Sequence, residues 1–179
     1  MIQIEKTKII RKNGKELLIV EACGHDGIRV RATQNGKMDD SLPTGIDDIP
    51  KLNQNNIKIY QENKDYVIEN GKIKCIIQQT GRLKFYNNNG DLLLEEYERN
   101  RFRELFEGDF YSALEIVPRT FQPISNTPNY HITVRFEAHD DEKFFGMGQY
   151  QQPLLNLKGC RLELAQRNSQ VSIPFERIS

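Results

Sequence analysis

The sequence predicts an all-β protein: an antiparallel β-sandwich carrying at most one short helix. Asn-Gly occurs four times, at Asn13-Gly14, Asn35-Gly36, Asn70-Gly71 and Asn89-Gly90, and this pair supplies the positive-φ residues that tight hairpin turns require. Three of the four pairs lie between segments whose apolar residues recur with the two-residue period of a half-buried strand. Only Glu95 to Glu107 carries a helical apolar spacing, with Tyr97, Phe102, Leu105 and Phe106 loosely stacked on one side.

Taken in order, Ile4 to Arg11 and Glu16 to Ala22 form the first expected hairpin, and Ile28 to Thr33 adds a strand whose apolar residues alternate with arginines. Met38 to Asn56 holds two prolines and four aspartates with little periodicity, which reads as a long loop. Tyr66 to Glu69 pairs with Lys72 to Gln78, and Leu83 to Tyr86 with Asp91 to Glu95. Beyond the helix candidate, which can equally form an irregular charged connection, come Tyr111 to Val117 and a link through Pro118, Pro123 and Pro128. Tyr130 to Ala138 follows as an alternating strand. Asp140 to Glu142 can cap one short helical turn, and Phe144 and Phe145 are expected in the core. Gly146 and Gly148 bracket Met147 where the backbone must bend closely. Arg161 to Gln166 is expected as a strand with Leu162 and Leu164 inward. Val171 to Phe175 then returns, leaving Arg167, Asn168 and Ser169 at or near a hairpin tip.

A chain of 179 residues fits a single domain, residues 1–179, large enough to bury a core without disulfide or metal staples. Lys plus Arg and Asp plus Glu number 25 each, so nothing in the charge favours nucleic acid or an anionic membrane as a partner. Three cysteines, Cys23, Cys75 and Cys160, are an odd set without Cys-x-x-Cys spacing. They read as buried free thiols in a reducing, cytoplasmic setting. No apolar run approaches the roughly 20 residues of a membrane span.

Chemistry is sparse. The acidic doublets Asp39-Asp40, Asp47-Asp48, Glu95-Glu96 and Asp140-Asp141 are poor catalytic pairs, because neighbours on a strand point to opposite faces and neighbours in a loop are usually both solvated. His25, His131 and His139 lack the paired spacing of a metal site. No nucleophile elbow, phosphate loop or dinucleotide fingerprint is present, so no cofactor is expected.

One stretch is more specific. Glu142 to Gln149, EKFFGMGQ, followed by LLNLKGCRLELAQRN and SIPF, resembles the N-terminal β-domain of glycoside hydrolase family 31, in particular its xyloside-acting branch. Met147 stands where that family usually has leucine. The resemblance is strong over about the last forty residues and only pattern-deep before them. It implies a sandwich of the galactose-mutarotase-like (supersandwich) type, packed against a catalytic (β/α)8 barrel of the same full-length chain. That barrel, with the family's aspartate nucleophile and acid/base aspartate, does not occur in these residues.

The same resemblance implies that a hairpin tip reaches the sugar pocket. On this chain the tip is Gln166, Arg167 and Asn168, whose amide and guanidinium groups can hydrogen-bond sugar hydroxyls or merely satisfy backbone groups in the turn. Gln149 is a weaker candidate. Relatives carry a longer loop with an acidic residue there, so a charged contact of that kind has no counterpart in Asn168. An apolar patch beside the C-terminal hairpin, and self-association through it as a homo-oligomer, would follow from an uncovered barrel-facing surface.

Two further functions compete with an accessory domain of an α-glycosidase. A stand-alone carbohydrate-binding module would use Phe144, Phe145, Tyr150 and Tyr111 beside polar tips. A sugar mutarotase would need an acid and a base, for which His131 with Glu115 or Glu137 are the candidates.

Overall fold

The computed structural model describes residues 1–41, 52–99 and 114–178. They fall in two compact units, Met1–Glu137 and Ala138–Ser179. All sheets are antiparallel, and among the described residues the only helical element is a single 3-10 turn at Gln54–Asn56.

The first unit contains two larger sheets. One has the order β1 (Ile2–Ile4), β2 (Lys8–Asn13), β3 (Glu16–Cys23) and β4 (Gly27–Thr33). The other runs β5 (Ile57–Glu62), β6 (Asp65–Asn70), β7 (Ile73–Ile77), β8 (Leu83–Asn87) and β9 (Leu92–Glu95). Both are simple meanders, with Asn-Gly turns joining β2 to β3, β6 to β7 and β8 to β9 and other short connections between the rest. β3 packs on β6 and β4 on β7. Between them lie Ile9, Leu18, Val20 and Ala22 from one sheet and Ile68, Cys75, Ile77 and Leu83 from the other. Each large aliphatic side chain fully buried there contributes about 1.5–3 kcal/mol.

β3 is buried on both faces, since Leu17 and Ile19 are as hidden as the core residues beside them. Part of the cover for Ile19 is visible in the register. Arg31 lies directly opposite it on β4, and the arginine's alkyl stem can shield apolar surface while its head stays polar. Glu21 anchors two such heads, accepting from Arg29 at 2.7 Å and from Arg31 at 2.9 Å.

The two sheets are also joined by a polar clasp. Asn70, fully buried, donates to the carbonyls of Gly24 (3.2 Å) and Gly27 (2.8 Å) across the sandwich. Gly71 beside it has φ +60°, and a Cβ there would sit 2.7 Å from the His25 carbonyl and closer still to the Asp26 carboxylate. Asp26 in turn accepts from the Lys72 amide at 2.9 Å. The Asn70-Gly71 turn therefore has a tertiary duty beyond reversing the chain.

A third pairing in this unit joins β10 (Arg119–Pro123) to β11 (Tyr130–Val134). The second unit holds β12 (Phe144–Gln149) paired with β13 (Val171–Ile178).

Several expectations need correction. The strand from Ile4 to Arg11 is two strands, folded back on each other with Glu5 N bonded to Lys8 O. β5 was not foreseen, because IKIYQE sits inside no Asn-Gly frame of its own. The helix over Glu95 to Glu107 does not begin as one. Glu95 ends β9, and Glu96 and Arg99 make extended bridges to Phe136 and Ile116, since backbone partners were in reach; residues 100–107 lie outside the described residues. Of Tyr111 to Val117, residues 111–113 are likewise outside, and only Ile116 bridges. The proline link contains β10, with Pro123 at its end, where a missing N–H costs least. Asp140 and Asp141 form a plain turn, with Glu142 N on His139 O.

Phe144 and Phe145 are half-buried and do not belong to the core cluster. Arg161 to Gln166 is not a strand, and Leu164 is exposed. Its alternation found no edge to pair with, because β13 is engaged by β12 instead. Of the cysteines only Cys75 is buried, where burial pushes its thiol up and keeps it an unreactive apolar filler.

Candidate functional site

The hairpin tip is built in residues 138–179 by a deliberate irregularity. Gly146, Met147 and Gly148 take φ values of +110°, +62° and +113° in succession, a run that two glycines make possible. The register slips there. Gly146 faces Glu176 while Gly148 faces Ser172, so β13 bulges against β12. A Cβ on Gly148 would lie 2.0 Å from the Val171 carbonyl. The Gly-Met-Gly bend read from the sequence is thus the feature that sets which residue of β13 meets the tip.

From Val171 the chain leads back into the tip, where Gln170 N bonds to Arg167 O at 3.0 Å and Ser169 adopts φ +69°. Gln166 grips β13: its amide nitrogen donates to the Ser172 carbonyl at 2.9 Å, and its amide oxygen accepts from the Ser172 N–H at 3.4 Å. Tyr150 donates to the Ser172 hydroxyl at 3.0 Å. Arg167 is paired with Glu163. All three tip residues are exposed.

These contacts separate the three candidates. Gln166 mainly holds the tip, Arg167 is shared with Glu163 but keeps further guanidinium donors, and Asn168 has no side-chain hydrogen bond among the described residues. Asn168 is the tip group freest to meet a hydroxylated ligand. Ser172 and Glu163 support the tip and were not anticipated, and Tyr150, expected only as a ligand-facing aromatic, supports it too. Their proximity depends on the slipped register, which leaves no periodic trace in sequence.

The competing sites fare differently. Tyr111 lies outside the described residues, Tyr150 is tied to Ser172, and Phe144 and Phe145 are half-buried. For mutarotation, the Glu137 carboxylate is held by Arg99 at 2.5 and 3.1 Å and by Arg82 at 3.4 Å, while His131 sits exposed on β11. Among the described residues no group of histidine, cysteine and carboxylate side chains is arranged to hold a metal ion.

The carboxylate doublets also resolve. Asp39 accepts from the Ser41 amide at 3.0 Å and from its hydroxyl at 2.6 Å, and Asp40 pairs with Arg31. Asp47-Asp48 is outside the described residues, and Asp140-Asp141 is an exposed turn. Glu95 and Glu96 enter a network of ion pairs in the first unit. Arg82 donates to Glu95 at 2.8 Å and to the Glu96 carbonyl at 2.6 Å. Glu96, 2% exposed, accepts from the Leu83 amide at 2.9 Å and pairs with Arg119. Burial works against the charge on Arg119, but Glu96 and Glu16 together outweigh it and hold the guanidinium above its ordinary value. Arg119 also reaches the Gly81 carbonyl at 2.7 Å and Glu16 at 3.1 Å. Every charge in this cluster already has a partner, which makes it a structural fastening and not a catalytic pair.

The described residues build an antiparallel all-β meander sandwich and a glycine-bulged ribbon with a polar tip. Residues 17–170 match the glycosyl hydrolase 31 N-terminal galactose mutarotase-like domain, and the chain belongs to that family. It is 41% identical over 171 residues to an uncharacterized family 31 glucosidase of Pseudescherichia vulneris, a match spanning 92% of this chain and 31% of the relative. Among solved structures it is similar to a family 31 α-xylosidase from a soil metagenome, crystallised with xylose: TM-score 0.86, 36% identity, 99% of this chain and 26% of the other. A family 31 α-xylosidase of Xanthomonas citri shares the fold, with TM-score 0.73 and 22% identity over 98% of this chain and 18% of its own. The chain therefore spans about a third or less of the length of these relatives.

Proposed function

We propose that these 179 residues serve as the non-catalytic N-terminal domain of a longer cytoplasmic family 31 α-glycosidase. The catalytic barrel in the same chain removes a terminal α-linked xylose or glucose with retention of configuration. Retaining hydrolysis needs two carboxyl groups about 5 Å apart across the sugar. The acidic doublets described here are solvated or already committed to cations, and this motivates placing the chemistry on the barrel. The similarity to an α-xylosidase solved with xylose favours xylose over glucose.

In this reading the tip lends Asn168, and secondarily Arg167, to the rim of the sugar pocket, while Gln166 positions them. Its carrying observation is the Asn168 amide, without a side-chain hydrogen bond among the described residues, on a tip locked by Gln166 and Tyr150. The test uses aryl α-xylosides and α-glucosides. The 179-residue chain alone should show no turnover, whereas the longer chain containing the barrel should hydrolyse the xyloside. In that longer enzyme Asn168→Ala should raise KM about three- to tenfold, the loss of one or two neutral hydrogen bonds. Robust hydrolysis by the fragment would sink the assignment of chemistry to the barrel.

A further inference from the structure

We propose that the first unit carries a binding site for a small anionic sugar, a monosaccharide bearing a phosphate or a carboxylate, in the cleft at the end of the sandwich between β2 and the β5–β6 hairpin. The cleft has a volume of about 330 Å³, within the range of small-molecule sites. Its cationic side chains are Arg11 and Lys12 from β2 and Lys64 from the β5–β6 turn. Met1, whose ammonium donates to the Lys12 carbonyl at 2.9 Å, also lines it, and no carboxylate does.

The central observation is Arg11. This side chain is only 8% exposed, yet the hydrogen bonds of its guanidinium run to the neutral carbonyls of Gln79 and Thr80, at 3.0 and 2.9 Å. No carboxylate lies within salt-bridge distance of it among the described residues. Glu16 and Glu98 act on it only from farther away, and Arg119 opposes it; burial leads these influences and depresses its basicity. A buried cation so weakly compensated favours an anion in any adjoining space. The geometry around it is fixed, because Gly81, at φ +94°, is packed against the guanidinium and a Cβ there would lie 2.7 Å from Nη1.

Lys12 and Lys64 add positive charge at the exposed rim, and neither forms a salt bridge among the described residues. The nearest acids on the neighbouring turn are Glu62 and Asp65. Asp65 already accepts from the Gln79 amide at 3.2 Å, and neither is among the residues lining the cleft. The rest of the lining suits a polyhydroxylated body: Asn13, Gln61 and Gln79 offer amides, and Tyr66 offers a ring edge and a hydroxyl.

Isothermal titration of the 179-residue protein at low salt tests this with glucose 6-phosphate, glucuronate, glucose and inorganic phosphate. At least one anionic sugar should bind with Kd below about 5 mM, and glucose and inorganic phosphate should each bind about tenfold more weakly. Lys12→Gln with Lys64→Gln, both exposed and free of structural bonds, should weaken the anionic sugar by about tenfold while leaving the melting temperature unchanged. The proposal is overturned if neither anionic sugar binds below about 5 mM, if glucose or inorganic phosphate binds as well, or if the double variant keeps full affinity.

Discussion

The two units of this chain are held in shape by different forces. In residues 1–137 two sheets face each other across a dry core of aliphatic side chains, sealed by Asn70 and fastened at one end by the Arg119–Glu96 pair. In residues 138–179 only Leu157 is a buried hydrophobic among the described side chains, while Leu154, Leu155, Leu164, Val171 and Ile173 are exposed. There the geometry comes from hydrogen bonds, a bulge and glycines with positive φ. The contrast teaches that the first unit carries its own stabilisation in a buried core, whereas the second carries shape with little apolar burial of its own.

The sharpest way to break the comparison is to strike the fastening. Arg119→Met leaves Glu96 buried and unpaired, and should cost about 3–5 kcal/mol in urea unfolding of the first unit. Leu18→Ala, which opens a cavity in the core, should cost about 3 kcal/mol by the same measurement. A loss well under 1 kcal/mol in either case would mean that this unit is not independently packed.

Gly148→Ala probes the other side. It should cost about 1–3 kcal/mol locally, through strain at positive φ and collision with Val171, and hydrogen exchange should show β12 and β13 losing protection. Protection in β3, β6 and β7 should stay as it was, because their core contains nothing from the bulge. Uniform loss across both units would erase the distinction drawn between them.

The smallest effect concerns Glu98, which is 5% exposed and hydrogen-bonded to the Thr80 hydroxyl at 2.8 Å. Burial pushes its carboxyl above the ordinary value, against the pull of Thr80, Arg82, Arg119 and Arg11. With the folded value raised, the folded state holds the proton more tightly, so stability is greatest below the ordinary carboxylate range. It declines as pH rises through the folded value. Glu98→Gln should therefore be neutral at acid pH and more stable than the parent by under about 1 kcal/mol at pH 8, read from paired melting curves.

Much of this was legible beforehand. The hairpins at Asn13-Gly14, Asn70-Gly71 and Asn89-Gly90 and the bend at Gly146 to Gly148 are local events, specified by residues that tolerate conformations others avoid. Failures fell where pairing depends on distant partners. Arg161 to Gln166 and Glu95 to Arg99 have patterns compatible with one state and neighbours that impose another. A turn near Arg167 to Ser169 was expected from the flanking pattern and is present between Arg167 and Gln170, but the division of labour within it was not visible. Gln166 meets Ser172 only because of the slip between Gly146 and Gly148.

By itself, then, the amino-acid order determined that this is an antiparallel all-β chain, where its turns fall, and which family it joins, because turn chemistry and two-residue periodicity act over a few bonds. Only the tertiary structure decided that Arg82, Glu96 and Arg119 are buried together, that Arg11 lies against a cleft without a carboxylate, and that Asn168 stands at the tip with no side-chain hydrogen bond among the described residues. Burial and charge pairing depend on which strands meet across the sandwich, and no short stretch of sequence contains that information.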